Sequence, residues 1–503
     1  MKSIVTMTRT AKSGILLLAA LFLCVFSARS QNATSSPYSR YGIGDLQFQG
    51  GARHLGMGGV SIGVPLNLQL NFQNPAAYSN LFLTTFELGA NANLMEINSA
   101  DARQEQHTVS FSYFALGVPL KSKRWGLGFG LMPYSNIGYS VKDPQTNVLG
   151  EVETRTYQGS GGLNNFFIST GVRPFKNTPL SIGANVSYLF GVLGQDRRIE
   201  FDNPVNFNTR LLENTSLGWF TYNLGVQYTI DSLRLSPSDS LLEFDKLIRP
   251  LEDSLVHLDD VARKASDSLQ AGYAERREFL KNRIRQLRQE RGDVKRRRER
   301  GDWSLTFGAT YSPAAELHAR QTYTATSFKY FDNSSRDQIV VRDTIAYVEG
   351  AEGRVKLPVG LGFGASIRQG TRWLAGADFQ TQNWNTYRYF GASDSLADSW
   401  RVSVGGQFTP NDRVLKNRYK TVQYRAGFHY ARTFLQLRGN QLNEMGVSIG
   451  LGIPIRRAST FIQFAAEAGE RGTVESDLLK ERYLRFTLGF TISDRWFLKP
   501  KYD

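Results

Sequence analysis

Cysteine is nearly absent. The single copy, Cys24, lies in an apolar run at residues 14–26. Lys2, Arg9 and Lys12 precede that run, and Ala28-Arg29-Ser30 places small residues at the −3 and −1 positions of a cut before Gln31, so residues 1–30 read as a signal peptide. A lipoprotein cut would want a small residue before Cys24 and meets Leu23 instead. The mature chain then has no disulfide and no thiolate metal site. Long apolar runs are missing as well. Beyond the N-terminus nothing approaches the roughly 18 residues of a membrane-crossing helix. Histidine is scarce: the five copies are at 54, 107, 257, 318 and 429, and no two have the spacing of a helix-borne metal pair. No metal and no cofactor are expected. No nucleophile elbow, Gly-x-Ser-x-Gly, is expected and no Ser/His/acid set can be placed, so no enzyme is expected. Nucleic acid is the first thought for a chain of formal charge +15. Yet residues 271–300 hold 12 Lys/Arg against 5 Asp/Glu, about half of that excess, and a secreted chain does not meet nucleic acid.

What the chain has is alternation. Near the C-terminus, Leu484, Phe486, Leu488, Phe490 and Ile492 alternate with Arg485, Thr487, Gly489, Thr491 and Ser493, and Trp496 and Phe497 follow. A period of two puts one set on each face of a strand. One apolar face, one polar or glycine face and closing aromatics describe a strand with lipid outside and water inside. The pattern recurs from Thr84 onward. Phe86, Leu88, Ala90, Ala92 and Leu94 form the first apolar face, and Val109, Phe111, Tyr113 and Ala115 the second. Trp125 to Leu131 and a glycine-interrupted run at 151–175 supply the third and fourth. Further strands begin near Leu180, Phe220, Trp303, Val359, Trp373, Val402, Val422, Met445 and Ile462. With the last that makes 14, an even number, as a bacterial closed barrel requires. Residues 193–215 and 314–355 read as long polar loops, the second with a small hairpin at 339–348. The mean hydropathy of −0.33 fits, because only every second residue of such a strand meets lipid. A soluble β-sandwich would alternate too, but glycine-rich inner faces, interfacial aromatics and a signal peptide favour the membrane barrel. The expected fold is therefore all-β: a transmembrane antiparallel β-barrel of about 14 strands over residues 83–498.

Between strands six and seven the period changes. Phe244, Ile248, Leu251, Leu255, Leu258, Ala262, Ala265 and Leu269 recur every three or four residues, as on a helix face. Residues 232–301 are expected to form an α-helical hairpin, with Ser236-Pro237-Ser238-Asp239 as a helix start. Pro250 offers a start for a second helix, and Gln270-Ala271-Gly272 a break. Short basic connections after strands two, four, eight and twelve mark the periplasmic end, and that parity puts the insertion there.

Residues 31–82 are glycine-rich and lack long strands, as an N-terminal hatch or plug would. A phosphate-cradling loop would need a preceding strand, a following helix and a lysine, and none is evident. The stretch RHLGMGGV (53–60) followed by NPAAYSNL (74–81) resembles the hatch signature of the long-chain fatty-acid transporter (FadL/TodX) family of outer-membrane proteins. That resemblance implies a barrel plugged by its N-terminus, with Arg53, Gly56, Met57, Gly58, Gly59, Asn74, Pro75 and Ala76 as the hatch motif. It also implies a hydrophobic ligand that enters from outside and leaves through a lateral opening in the wall. The family includes barrels of scaffold character, and the helical insertion departs from the transporter pattern.

By parity Glu87, Asp378, Arg425, Glu444, Glu467 and Arg485 face the lumen, either paired to one another or forming a track that holds the hatch or a ligand head group. Arg425 and Arg485 would suit a carboxylate, which each can grip with two N–H groups. On the insertion, Arg276, Arg285, Arg288, Lys295, Arg296, Arg297 and Arg298 form either a solvated face or a surface for an acidic periplasmic protein or anionic lipid. The sequence thus points to the outer membrane of a Gram-negative bacterium. Outer-membrane lipid, a hydrophobic or amphipathic fatty-acid-like small molecule, and a periplasmic or outer-membrane protein held by 232–301 are the partners expected. The transporter reading leads; the alternative is a non-transporting scaffold in an envelope assembly or secretion complex.

Overall fold

A computed structural model describes residues 36–494, apart from 100–101, 147–149, 176–177, 204, 234–238, 265–266, 302, 332–337, 411–420 and 456–459. The signal-peptide residues and the pair Trp496 and Phe497 lie outside the described residues.

The chain enters through a 3-10 turn (Pro37–Arg40), a one-turn helix α1 (Ala52–Leu55) and a second 3-10 turn (Pro75–Asn80). Fourteen strands follow: β1 (Thr84–Asn98), β2 (Arg103–Lys121), β3 (Trp125–Thr146), β4 (Val152–Val172), β5 (Leu180–Phe201) and β6 (Asn208–Leu233). After two helices, α2 (Asp239–Lys264) and α3 (Asp267–Gly301), comes β7 (Trp303–Ser312 continuing as Ala315–Tyr330). The rest are β8 (Ile339–Leu357 continuing as Gly360–Gln369), β9 (Trp373–Gln382), β10 (Ser399–Phe408), β11 (Gln423–Leu437), β12 (Asn440–Ile455), β13 (Thr460–Gly472) and β14 (Lys480–Asp494). Each pairs antiparallel with the next, and β14 pairs with β1 to close the ring. Pro313 and Pro358 interrupt β7 and β8 side by side, because proline brings no N–H to the ladder. No described helix is long and apolar enough to cross a membrane.

The alternation has the expected sense over most of the wall. Tyr222, Leu224, Val226 and Tyr228 of β6 are exposed, whereas Gln227 is 1% exposed. Apolar out and polar in is the inverse of a soluble sheet.

Three expectations need correction. The strands are longer than the apolar pattern. Residues 193–201 and 208–215, read as loop, continue β5 and β6, and most of 314–355 is paired strand, with 315–330 against 339–357. The β11–β12 connection is the two-residue turn Arg438-Gly439, both at positive φ as a twisted hairpin requires. Beyond lipid both faces meet water, so the ladder goes on after the hydrophobic signal has stopped. Second, Tyr113 and Ala115 face inward, not outward. The register of β1 against β2 steps from Ala90–Phe111 to Gly89–Tyr113, leaving Ser112 as a bulge. One extra residue switches every later side chain to the other face. Third, Pro250 lies within α2 and opens no second helix, and α3, which begins at Asp267, runs through Gly272. The hairpin is antiparallel. Ile248, Ile284 and Leu287 form its buried seam, with Phe244, Leu251 and Leu255 against it. That seam continues past the proline and keeps α2 in one piece despite the missing N–H. Arg291–Asp245 at 3.0 Å, Arg288–Glu252 at 2.6 Å and Arg277–Asp259 tie its two arms.

The plugged lumen and the break in its wall

Residues 36–83 fill the barrel interior. Their backbone comes so near the wall that side chains are excluded at the contacts. Gly58 has φ +70°, and a Cβ there would lie 2.7 Å from Phe428 backbone atoms. Gly63 and Gly364 exclude each other's Cβ in the same way, at 2.7 and 2.6 Å. Around these contacts the hatch motif makes specific bonds. Gly58 N–H donates to Ser448 Oγ at 2.8 Å. Gly56 lies against Gly450, Met57 is buried against Gly405 and Gly427, and Gly59 N–H donates to the His54 carbonyl. Asn74 donates through Nδ2 to the Ile62 and Val226 carbonyls and accepts from Ala76 N–H through Oδ1. It thereby caps the turn that Pro75 and the fully buried Ala76 begin. Arg53 donates to Gln69 Oε1 at 2.5 Å, and burial pulls its guanidinium down to about 10 while Glu87 opposes the shift. Burial, with Arg53 and Arg425 nearby, also pulls the imidazole of His54 down to about 3.

All six candidate lumen residues point inward, and the structure sorts them into groups. Asp378 accepts from Ser61 N–H at 2.6 Å and Ile62 N–H at 2.8 Å. Glu87 accepts from Leu70 N–H at 3.0 Å. Both carboxylates therefore hold hatch backbone. Arg425 is ringed by the amide oxygens of Gln407, Gln463 and Gln423. Each of its three nitrogens already donates to a protein amide, so its charge is solvated without a carboxylate. Arg485 lies 3.6 Å from Glu467 and stands over the ring of Tyr483. Tyr483 donates to Glu444 at 3.1 Å, with His429 3.5 Å from the same carboxylate. A further cluster escaped the sequence reading: Arg471 joins Asp45 at 2.9 Å and Glu481 at 2.7 Å, and Ser36 Oγ lies 3.0 Å from Arg471. Nothing local marks Arg471 and Glu481 as partners of residues more than 400 positions away.

Two stretches do read Gly-x-Ser-x-Gly, 59–63 and 446–450. Neither is a nucleophile elbow. Ser61 donates to Gln73, Ser448 sits within β12, and the ring nitrogens of His54 and His429 have no hydrogen-bond partner among the described residues.

The wall itself is incomplete. β2 and β3 pair only from Phe114–Leu131 down to Lys121–Trp125. Above that point β2 pairs with β1 alone, while β3 bends inward and pairs with β4 and, at Ser135 and Asn136, with the plug residues Leu46 and Asp45. Tyr134 is a bulge at the bend. Inside the barrel lies a cavity of about 370 Å³, bordered by Met132 and Tyr134 at the β3 bend and by Phe167, Phe72 and Phe48. Beyond it, toward the long-loop end, Trp384, Tyr387, Phe434 and their neighbours form a compact apolar cap.

On the insertion, Arg276, Arg285 and Arg288 are exposed. Arg288 is taken up by Glu252 and Arg285 by Asn282 of its own helix. The side chains of Lys295, Arg296, Arg297 and Arg298 lie outside the described residues.

A sequence-family model, BamG, matches residues 12–237 and 261–503, nearly the whole chain. The chain belongs to the BamG family. The BamG model passes over 238–260, which contain most of α2. Among curated proteins none matches this member of the BamG family in sequence. Its fold is that of the FadL/TodX barrels. It is similar to the toluene transporter TodX of P. putida (13% identity, TM-score 0.51, covering 89% of this chain and 100% of that one). Similar too are the Ralstonia pickettii toluene transporter TbuX (13%, TM-score 0.50, 89% and 99%) and a Pseudomonas aeruginosa FadL homologue (11%, TM-score 0.50, 89% and 99%).

Proposed function

We propose that the protein carries hydrophobic or amphipathic small molecules across the outer membrane of a Gram-negative bacterium, through the cavity and out sideways between β2 and β3. The observation that carries this reading is the break in the wall. A lipid-facing strand edge with unpaired N–H and C=O groups is disfavoured in hydrocarbon, at several kcal/mol per group. A barrel that keeps one has a use for it. The tightly held hatch below the cavity supports a sideways rather than a straight exit. In this orientation the short-turn end and the α2–α3 arm are periplasmic. The structures similar in fold include proteins described as toluene transporters.

The α2–α3 arm favours a second reading, a scaffold whose barrel anchors a periplasmic docking surface. Helices of 26 and 35 residues are about 39 and 52 Å long. Transport through the wall does not call for them.

One experiment separates the two. The intact chain and a chain lacking 236–300 are purified in mild detergent, and co-purified lipids and proteins are measured by mass spectrometry. Leu233 and Trp303 are register partners, so a short turn closes the deletion without disturbing the ladder. A stoichiometric amphiphile in both samples supports transport. No ligand, with a protein partner lost on deletion, supports the scaffold.

A further inference from the structure

The cavity beside the β3 bend has two kinds of lining. One is aromatic and apolar, formed by Phe48, Phe72, Phe167 and Met132. The other is a row of side-chain amides. Asn185 of β5 and Asn223 of β6 face each other in register, Asn165 of β4 stands beside them, and Gln380 of β9 closes the row.

These amides are not equivalent at their two ends. Asn223 Nδ2 donates to the Gln73 carbonyl at 2.9 Å. A backbone carbonyl can only accept, so the orientation of that amide is fixed and its Oδ1 is the end left over. Gln49 Nε2 donates to the carbonyls of Gln47 and Pro133, which fixes Gln49 Oε1 as an acceptor for Asn165 Nδ2. Asn165 Oδ1 is then left over too. Gln380 Nε2 is taken up by Gln73 Oε1. The oxygens of Asn165, Asn185 and Asn223 are buried with no hydrogen-bond partner among the described residues. Buried polar atoms are normally paired, and leaving one unpaired costs free energy. At Asn165, Asn223 and Gln380 the amide donors are committed to protein oxygens, and at Asn165 and Asn223 the acceptors remain, while Asn185 presents its amide to the cavity with no bond among the described residues.

We propose that this cavity takes the head group of an uncharged amphiphile that donates hydrogen bonds, an alcohol or a sugar-bearing lipid, with its tail along the aromatic side. A carboxylate, which only accepts, would meet a row of acceptors. The inference rests on the transport reading and narrows its substrate class away from fatty acids. Arg401, Arg432 and Arg471 also border the cavity; Arg471 is held by Asp45 and Glu481, and Arg401, stacked on Phe48 and 3.4 Å from the Ser403 hydroxyl, is a group through which a carboxylate would compete.

The test is equilibrium binding to the full-length mature protein in lipid nanodiscs, with dodecanol, dodecyl glucoside, dodecanoate and dodecane as probes. Dodecanol or the glucoside is expected to bind about tenfold more tightly than dodecanoate, the worth of one hydrogen bond. Which of the two binds better tells a single hydroxyl from a sugar. Asn185→Leu removes an acceptor without touching the hatch, and should bring the preferred probe down to the level of dodecane. Asn185→Asp keeps the acceptor and should keep the preference. Heat-modifiable gel migration shows that both variants fold. Dodecanoate binding as tightly as the alcohol, or binding lost in Arg401→Gln and unchanged in Asn185→Leu, overturns the proposal. If dodecane binds as well as dodecanol, the head-group inference fails and transport stands. If none of the four binds, both fail.

Discussion

Removing the carboxylate of Asp378 should loosen the hatch and leave the barrel alone. Asp378 is 3% exposed, and one of its oxygens accepts from both Ser61 and Ile62 N–H. Its backbone pairs with Gly364 and Ser403 in the ladder, which the side chain does not affect. Asp378→Ala leaves two buried N–H groups without an acceptor, at about 1–3 kcal/mol each. The expected cost is about 2–6 kcal/mol, and it falls on the docking of residues 58–64. Even the lower figure corresponds to roughly thirtyfold more frequent opening. Hydrogen exchange in nanodiscs should show that acceleration at the amides of 61 and 62, with β9 and β10 amides unchanged. Asp378→Asn keeps an oxygen in place and should exchange within a few-fold of the parent chain. If Ser61 and Ile62 amides in Asp378→Ala stay as slow as in the parent, the carboxylate is not what holds this turn, and the clamp reasoning is wrong.

Gly58→Ala forces a left-handed backbone on alanine and places its Cβ on Phe428 backbone; a loss of roughly 2–4 kcal/mol in hatch docking is expected, read as faster proteolysis of the N-terminal segment. His54 is held neutral in the docked hatch, with its pKa pulled to about 3 against 6.5 in an undocked one. Docking strength should therefore be constant above about pH 6.5 and fall as pH drops from there toward 3; His54→Gln should flatten that slope in the same exchange measurement. On the arm, Ile284→Ala should cost about 2 kcal/mol or more of hairpin stability and Arg288→Ala less than about 1, because the first is buried in the seam and the second is an exposed pair; helix melting by circular dichroism separates them.

The barrel was legible because lipid imposes one rule on every strand. Leu484, Phe486 and Leu488 reveal their face without reference to anything else in the chain. That rule ends where the membrane ends, which is why 193–215 and 314–355 looked like loops. It also misled at Ser112, since a bulge changes the count of residues and not their character. Inward residues such as Asp378 and Arg425 could be placed by parity. Their partners could not, because Ser61 and Gln463 reach them through the fold and not through spacing. In the arm, Pro250 marked a helix start by local chemistry, but the seam through Ile248, Leu251 and Leu255 outweighs one missing hydrogen bond.

The position of residues 36–83 constrains how the molecule can be made. They are joined to β1, one side of the seam that closes the ring, and they bond to β14, the other side, through Ser36 to Glu481 and Ser493 to the Leu68 carbonyl. A ring that closed first would have to be threaded by a chain whose contacts leave no room even for a methyl group. The N-terminal segment must therefore wait, collapsed on the growing sheet, until the last strand is synthesised and delivered. The segment that precedes every strand is among the last to be locked, and β14 is the lid that the box is built around.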